Sequence, residues 1–246
     1  MRRFWIAMGF LTMLPVGPRG EIAERDLGGS FLWFPLVGLV IGAGLAGVHQ
    51  VLSPVFPRLL VGACVLLAWI ALTGALHLDG LADVSDGLYG RRTRDERLRI
   101  MKDPHVGAMA VVAITGILIL KFSLLSSLPS AGMTRALLIA PCLGRYVMVL
   151  LGSTLPSARA GEGTAGPFVR GVSIRAFIGA TAFSVVISGW LLGSMGLAFF
   201  VMALIAALMM RVVFHRAFGG ITGDALGASG EVTEVLVLLA LAFARS

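Results

Sequence analysis

The sequence predicts an all-α fold: a polytopic integral membrane helical bundle of six or seven transmembrane helices with a short N-terminal interfacial or re-entrant helix, in one domain over residues 1–246. Three observations predict it. Hydrophobic residues make up 57% of the chain and charged residues 13%, with a mean hydropathy of +0.93, more apolar surface than one soluble core needs. Apolar stretches close to the roughly 20 residues that cross hydrocarbon as a helix recur along the chain. Basic residues concentrate in alternate loops, as the positive-inside bias requires of a multi-pass protein.

The elements follow in order. Residues 1–14 begin Arg2-Arg3 and end before Pro15 without the small-residue pattern of a cleaved leader, so they are expected to lie at the interface. Spans are expected near 31–52, 59–76, 107–127, 135–155, 176–193, 196–214 and 232–244, the last being short. Cys64 and Cys142 fall inside spans and read as small buried hydrophobes.

Arg2, Arg3, Arg19 and Arg25 precede the first span. Six more cations, from Arg91 to Lys102, separate the second and third, and Arg159, Arg170 and Arg175 separate the fourth and fifth. The intervening connections are nearly free of cations, so the N-terminus and the basic loops are expected in the cytoplasm. The net charge of +7 is therefore orientation rather than a nucleic-acid footprint.

Polar chemistry collects in the same loops. After the second span comes His77-Leu78-Asp79-Gly80-Leu81-Ala82-Asp83-Val84-Ser85-Asp86-Gly87. On a helix Asp79, Asp83 and Asp86 fall within an arc of roughly 60°. Three like charges on one face repel unless a cation sits among them. Hard oxygen donors without cysteine favour magnesium or manganese, and these serve phosphate chemistry.

Further along the same loop, Arg91, Arg92 and Lys102 suit a phosphate-bearing substrate. Arg94 and Arg97 fit a short amphipathic helix at the headgroups. Asp103 either caps the next helix or acts in catalysis. His77 and His105 are candidate proton carriers, whereas His49 and His215 read as solvated.

A glycine-rich run, Gly219 to Gly230, could let backbone approach phosphate. Within it Asp224 shares a helix face with Glu231, seven residues on, and the pair could complete a metal site. The bland alternative is a turn before the last helix, with Glu231 as its start signal. Gly161-Glu162-Gly163 forms a weaker glycine loop. Lys121 and Arg145 lie inside apolar spans, where each must face an interior partner or snorkel to an interface.

Taken in order, His77-Leu78-Asp79-Gly80-Leu81-Ala82-Asp83 with Asp86-Gly87, Lys102-Asp103, Gly107, Gly144-Arg145, Glu162-Gly163, Gly219-Gly220, Thr222-Gly223-Asp224 and Leu226-Gly227-Ala228 resemble the cobalamin synthase family, also called adenosylcobinamide-GDP ribazoletransferase. Phe10-Leu11-Thr12, Pro15-Val16 and the pair Glu231 and Glu234 are similar too. Pro104-His105 and Gly161 to Thr164 depart from that pattern.

The resemblance implies a magnesium-dependent enzyme of the bacterial inner membrane that joins α-ribazole, or its 5′-phosphate, to adenosylcobinamide-GDP with release of GMP. It implies Asp79, Asp83, Asp86 and Asp224 as ligands of Mg2+, and His77, Asp83 or Asp103 as catalytic groups. Arg91, Arg92, Lys102, Arg145, Glu162, Gly220, Thr222, Gly223 and Glu231 are the substrate-binding positions. Expected partners are the two substrates, the lipid bilayer, other enzymes of the pathway and a second copy of the chain, with no nucleic acid.

The chief rival is a CDP-alcohol phosphotransferase-like enzyme, but the alanine-arginine pair expected after the first Asp-Gly is absent, since Asp83 follows Ala82. A cation transporter would want acids at mid-span and symmetric halves. A purely structural subunit leaves both acid-glycine motifs unexplained.

Overall fold

The computed structural model describes every residue except 19, 160–164 and 245–246. Helix α1 (Arg2–Leu11) is about 15 Å long at 1.5 Å per residue, half a bilayer core. It buries Ile6, Ala7, Met8 and Leu11 against the bundle. The chain after it is tied back where Met13 N–H donates to the Leu72 carbonyl at 2.9 Å.

Helix α2 (Glu24–Ser30) continues through a 3-10 turn (Phe31–Trp33) into α3 (Phe34–Leu52). On α3, a Cβ at Gly38 or Gly42 would collide with the α8 backbone around Leu137 to Cys142. This Gly-x-x-x-Gly face brings the two helices into backbone contact, the packing that stabilises helices in lipid. Helix α8 (Ser130–Thr154) is the hub of the bundle, almost wholly buried from Leu143 to Leu151.

The expected span 59–76 is cut short. Helix α4 (Arg58–Thr73) stops at Gly74 and Ala75, both in the left-handed region with φ of 60° and 56°. Two such residues end an α-helix, and α5 (Leu76–Leu88) leaves at 86° to α4. The acidic run is helical, but its helix turns away from the preceding span at the end of the bundle.

A short α6 (Arg94–Ile100) opens on a capping box between Thr93 and Glu96 and leads to α7 (Ala108–Ser127). After α8 come α9 (Ala165–Arg170), then α10 (Ile174–Leu192) and α11 (Ser194–Phe218). The last two expose Val186, Trp190, Val201, Ile205 and Met209, as a lipid-facing hairpin must.

The last helix is longer than its apolar pattern suggests. Helix α12 runs Gly223–Phe243, with the Thr222 hydroxyl accepting from Ala225 N–H at 3.1 Å. The start signal is thus Thr222 rather than Glu231, and the part of the glycine-rich run from Gly223 to Gly230 forms the first two turns.

Six helices are long and apolar enough to cross a membrane, with the bent α4–α5 pair as a seventh candidate. The chain is an all-α, multi-pass membrane protein. Its basic loops meet at one end: Arg94 Nη2 donates to the Ala158 carbonyl at 3.0 Å, Arg170 pairs with Glu24, and Ser157 bridges to Ile221. His215 is exposed as expected, but His49 is buried, only 8% exposed, against the expectation of a solvated ring.

Candidate active site

Glycine places the acids. A Cβ on Gly80 would lie 2.6 Å from the Asp224 carbonyl oxygen, and one on Gly227 would lie 3.1 Å from the His77 Cα. Helices α5 and α12 therefore cross backbone to backbone, which side chains at either glycine would prevent. The crossing sets Asp79 and Asp83 of α5 against Asp224 at the start of α12. Burial, then Asp224 and Asp79, push the Asp83 carboxyl up to about 6. Asp79 and Asp224 line a cavity of about 310 Å3 with His77, Gly223 and Gly227, and α1 closes its side with Gly9 and Phe10. The cation facing these acids is Arg159, 3.4 Å from Asp224 Oδ2.

Below the crossing lies a buried ion network. Lys121 Nζ of α7 donates to Glu231 Oε2 at 2.6 Å and to Glu234 Oε2 at 2.5 Å. Glu234 also accepts from Arg145 Nη1 of α8, and Arg145 Nη2 lies 3.1 Å from His77 Nδ1. The Lys121 ammonium sits 4.4 Å above the Trp69 ring of α4. Two cations balance two anions, each with side chains at most 4% exposed, so charges that would be prohibitive alone compensate one another. Five helices are tied together by this network.

The whole chain matches a known family. The model for "Cobalamin-5-phosphate synthase" covers residues 3–242. The chain belongs to the cobalamin-5-phosphate synthase family. Among curated relatives it is similar to proteins named adenosylcobinamide-GDP ribazoletransferase. One, from Pseudomonas syringae pv. syringae, is 39% identical over 98% of this chain and 99% of the relative. Others come from Acetivibrio thermocellus, 34% identical over 97% and 96%, and Geotalea daltonii, 39% identical over 98% and 97%. No solved structure matches the chain.

Within this family member the predicted site residues separate into groups. Asp79, Asp83, Asp224, His77 and Gly223 meet at the crossing. Asp86 is turned elsewhere: its Oδ2 accepts from Gly107 N–H at 2.8 Å and its Oδ1 from Ala110 N–H at 3.0 Å, so it caps α7. That is the capping job the sequence had offered to Asp103. Asp103 instead accepts from the backbone N–H of His105 at 3.0 Å and lies 2.6 Å from its Nδ1. These hydrogen bonds hold the Asp103 carboxyl below the usual range.

With Arg92, Asp86, Asp103 and His105 line a second cavity of about 310 Å3. Arg91 is exposed on the loop beside it. Lys102, next to Asp103, is exposed as well.

Four predicted positions take other roles. Arg145 and Glu231, expected at substrate, are locked in the buried network, because α12 starts early enough to carry Glu231 two turns into the bundle. Gly220 makes room for the Pro156 carbonyl, and Thr222 is the α12 cap. Glu162 lies outside the described residues. Arg97, read as a headgroup anchor, donates to the Gly87 and Leu88 carbonyls at 2.8 Å and closes the end of α5.

Among the described residues no three His, Cys, Asp or Glu side chains converge tightly enough to enclose a metal ion, so the expected four-carboxylate set is not assembled. The donor chemistry nevertheless suits magnesium. Asp79 and Asp224 are hard oxygen donors lining the same cavity, and Asp224 Oδ2 is buried with only the Arg159 ion pair at 3.4 Å. Magnesium needs one or two protein carboxylates and fills its other positions with water and phosphate.

Proposed function

We propose that this chain is an adenosylcobinamide-GDP ribazoletransferase, a membrane transferase that performs the last assembly step of the cobalamin nucleotide loop. It joins α-ribazole, or its 5′-phosphate, to adenosylcobinamide-GDP and releases GMP. The observation that carries this reading is the match over residues 3–242, whose acidic and glycine positions meet at the α5–α12 crossing.

The chemistry follows from the residues there. Asp79 and Asp224 would hold magnesium, which when bound would neutralise the pyrophosphate and stabilise the departing phosphate. Arg159 has a buried Nε without a hydrogen-bond partner, so it has a donor to offer a phosphate oxygen. A ribazole hydroxyl oxygen bonds to the phosphorus on the cobinamide side as the bond to GMP breaks. Asp83 takes the hydroxyl proton, a role that suits a carboxyl raised to about 6. Arg92 in the second cavity suits the 5′-phosphate of the acceptor.

A cavity of about 310 Å3 admits the nucleotide end of the donor but not its corrin ring, which would stay at the membrane surface. The basic loops gathered around the site support reading it as lying on the cytoplasmic face of the bacterial inner membrane. Membranes containing the protein should release GMP from adenosylcobinamide-GDP only when α-ribazole 5′-phosphate and magnesium are both present. Release without the acceptor, or undiminished release in chelator, would refute the transfer or the metal respectively.

A further inference from the structure

We propose that the buried ion network holds His77 as the tautomer with its proton on Nε2, and that this N–H donates to a phosphate oxygen of the pyrophosphate-bearing substrate. The inference rests on the transferase reading for the identity of the phosphate, not for the tautomer. His77 Nδ1 is 3.1 Å from Arg145 Nη2. A guanidinium only donates, so Nδ1 must offer a lone pair and the proton must sit on Nε2.

The arrangement cannot relax easily. The other branch of Arg145 is bound by Glu234, which Lys121 also grips, and Lys121 is held in turn by Glu231. The network is already neutral, with two cations against two carboxylates.

The other nitrogen is the informative one. His77 is 2% exposed, and its Nε2 is buried with no hydrogen-bond partner. A buried donor left without an acceptor is unfavourable. The same side chain lines the cavity with Asp79 and Asp224. The bare helix edge at Gly227 lets the ring pack close to α12, since a Cβ there would stand 3.5 Å from His77 Cδ2.

A site that must receive a pyrophosphate provides the missing acceptor. Its oxygens gain charge as GMP leaves, so a donor fixed beforehand stabilises the transition state more than the ground state. No proton moves to or from His77 in this step. Its one free lone pair faces Arg145, so His77 is excluded as the base that takes the hydroxyl proton. It is a catalytic residue by contact, and Arg145, Glu234, Lys121 and Glu231 are its positioning residues.

The test uses the full-length protein in detergent with 15N-labelled histidine, the His77 signals being identified by their loss in His77→Gln. The expected result is an unprotonated Nδ1 and a protonated Nε2, with the Nε2–H signal shifting when adenosylcobinamide-GDP is added. A proton on Nδ1 or an Nε2–H indifferent to the nucleotide would overturn the proposal.

In turnover, His77→Ala should lose about 10²–10³-fold in kcat with KM changed only a few-fold. His77→Gln, which restores a donor, should recover at least tenfold of that loss. Equal rates for the two variants, both with the remaining histidine signals intact, would also overturn it. Should the wild-type protein release no GMP, the transferase reading fails while the tautomer is still decided.

Discussion

Replacing Gly80 with alanine isolates what the helix crossing does. Alanine is the better helix former by about 1 kcal/mol, so a solvated glycine in α5 would be stabilised by the change. Here the added methyl would stand 2.6 Å from the Asp224 carbonyl oxygen and 2.9 Å from its Cα, where ordinary contact begins at 3.4 Å. Helices α5 and α12 must then separate by about 0.8 Å at that point, at an overpacking cost of about 1–3 kcal/mol. Net destabilisation is therefore only about 0–2 kcal/mol.

The loss in rate should be larger than that, because a misplacement near 1 Å costs about 10²-fold in turnover. Gly80→Ala should keep an unfolding midpoint near that of the wild type in detergent while GMP release falls about 100-fold. Gly116→Ala on α7, where nothing lies within 4 Å of the new methyl, is the matched control and should retain full activity. A Gly80→Ala protein with wild-type turnover would refute the claim that close backbone approach sets the acid geometry.

Two other perturbations probe the frame around the site. Lys121→Met leaves Glu231 and Glu234 sharing one cation and should destabilise the protein by about 3–5 kcal/mol in denaturant unfolding, with Glu231→Gln in the same chain recovering part of the loss; an unchanged midpoint would mean the network carries no weight. Asp86→Ala removes the acceptor for Gly107 and Ala110 N–H and should cost about 1 kcal/mol by the same measurement, whereas no shift would show that α7 needs no cap.

Local periodicity made the acidic helix legible. Asp79, Asp83 and Asp86 lie on one helix in the expected order, and the alternating basic loops do gather at one end. What escaped depends on partners far along the chain. Lys121 looked anomalous because its carboxylates are 110 and 113 residues away. Arg159 read as an orientation charge because the acid it pairs with, Asp224, lies far along the chain.

Glycine misled in two directions. The run from Gly223 to Gly230 has the composition of a turn, yet its missing side chains are what let α12 press against His77 and α8. The single Gly74 gave little warning that α4 would end, because the break also needs Ala75 in the left-handed region.

The most direct test of the central claim is GMP release and corrinoid product formation by membranes carrying the wild type or Asp83→Asn, each given adenosylcobinamide-GDP, α-ribazole 5′-phosphate and magnesium. Magnesium-dependent product from the wild type, with turnover reduced at least 100-fold in an Asp83→Asn protein that folds and inserts normally, is the predicted result. Near-normal product from Asp83→Asn would contradict the assignment of the reaction to the α5–α12 crossing.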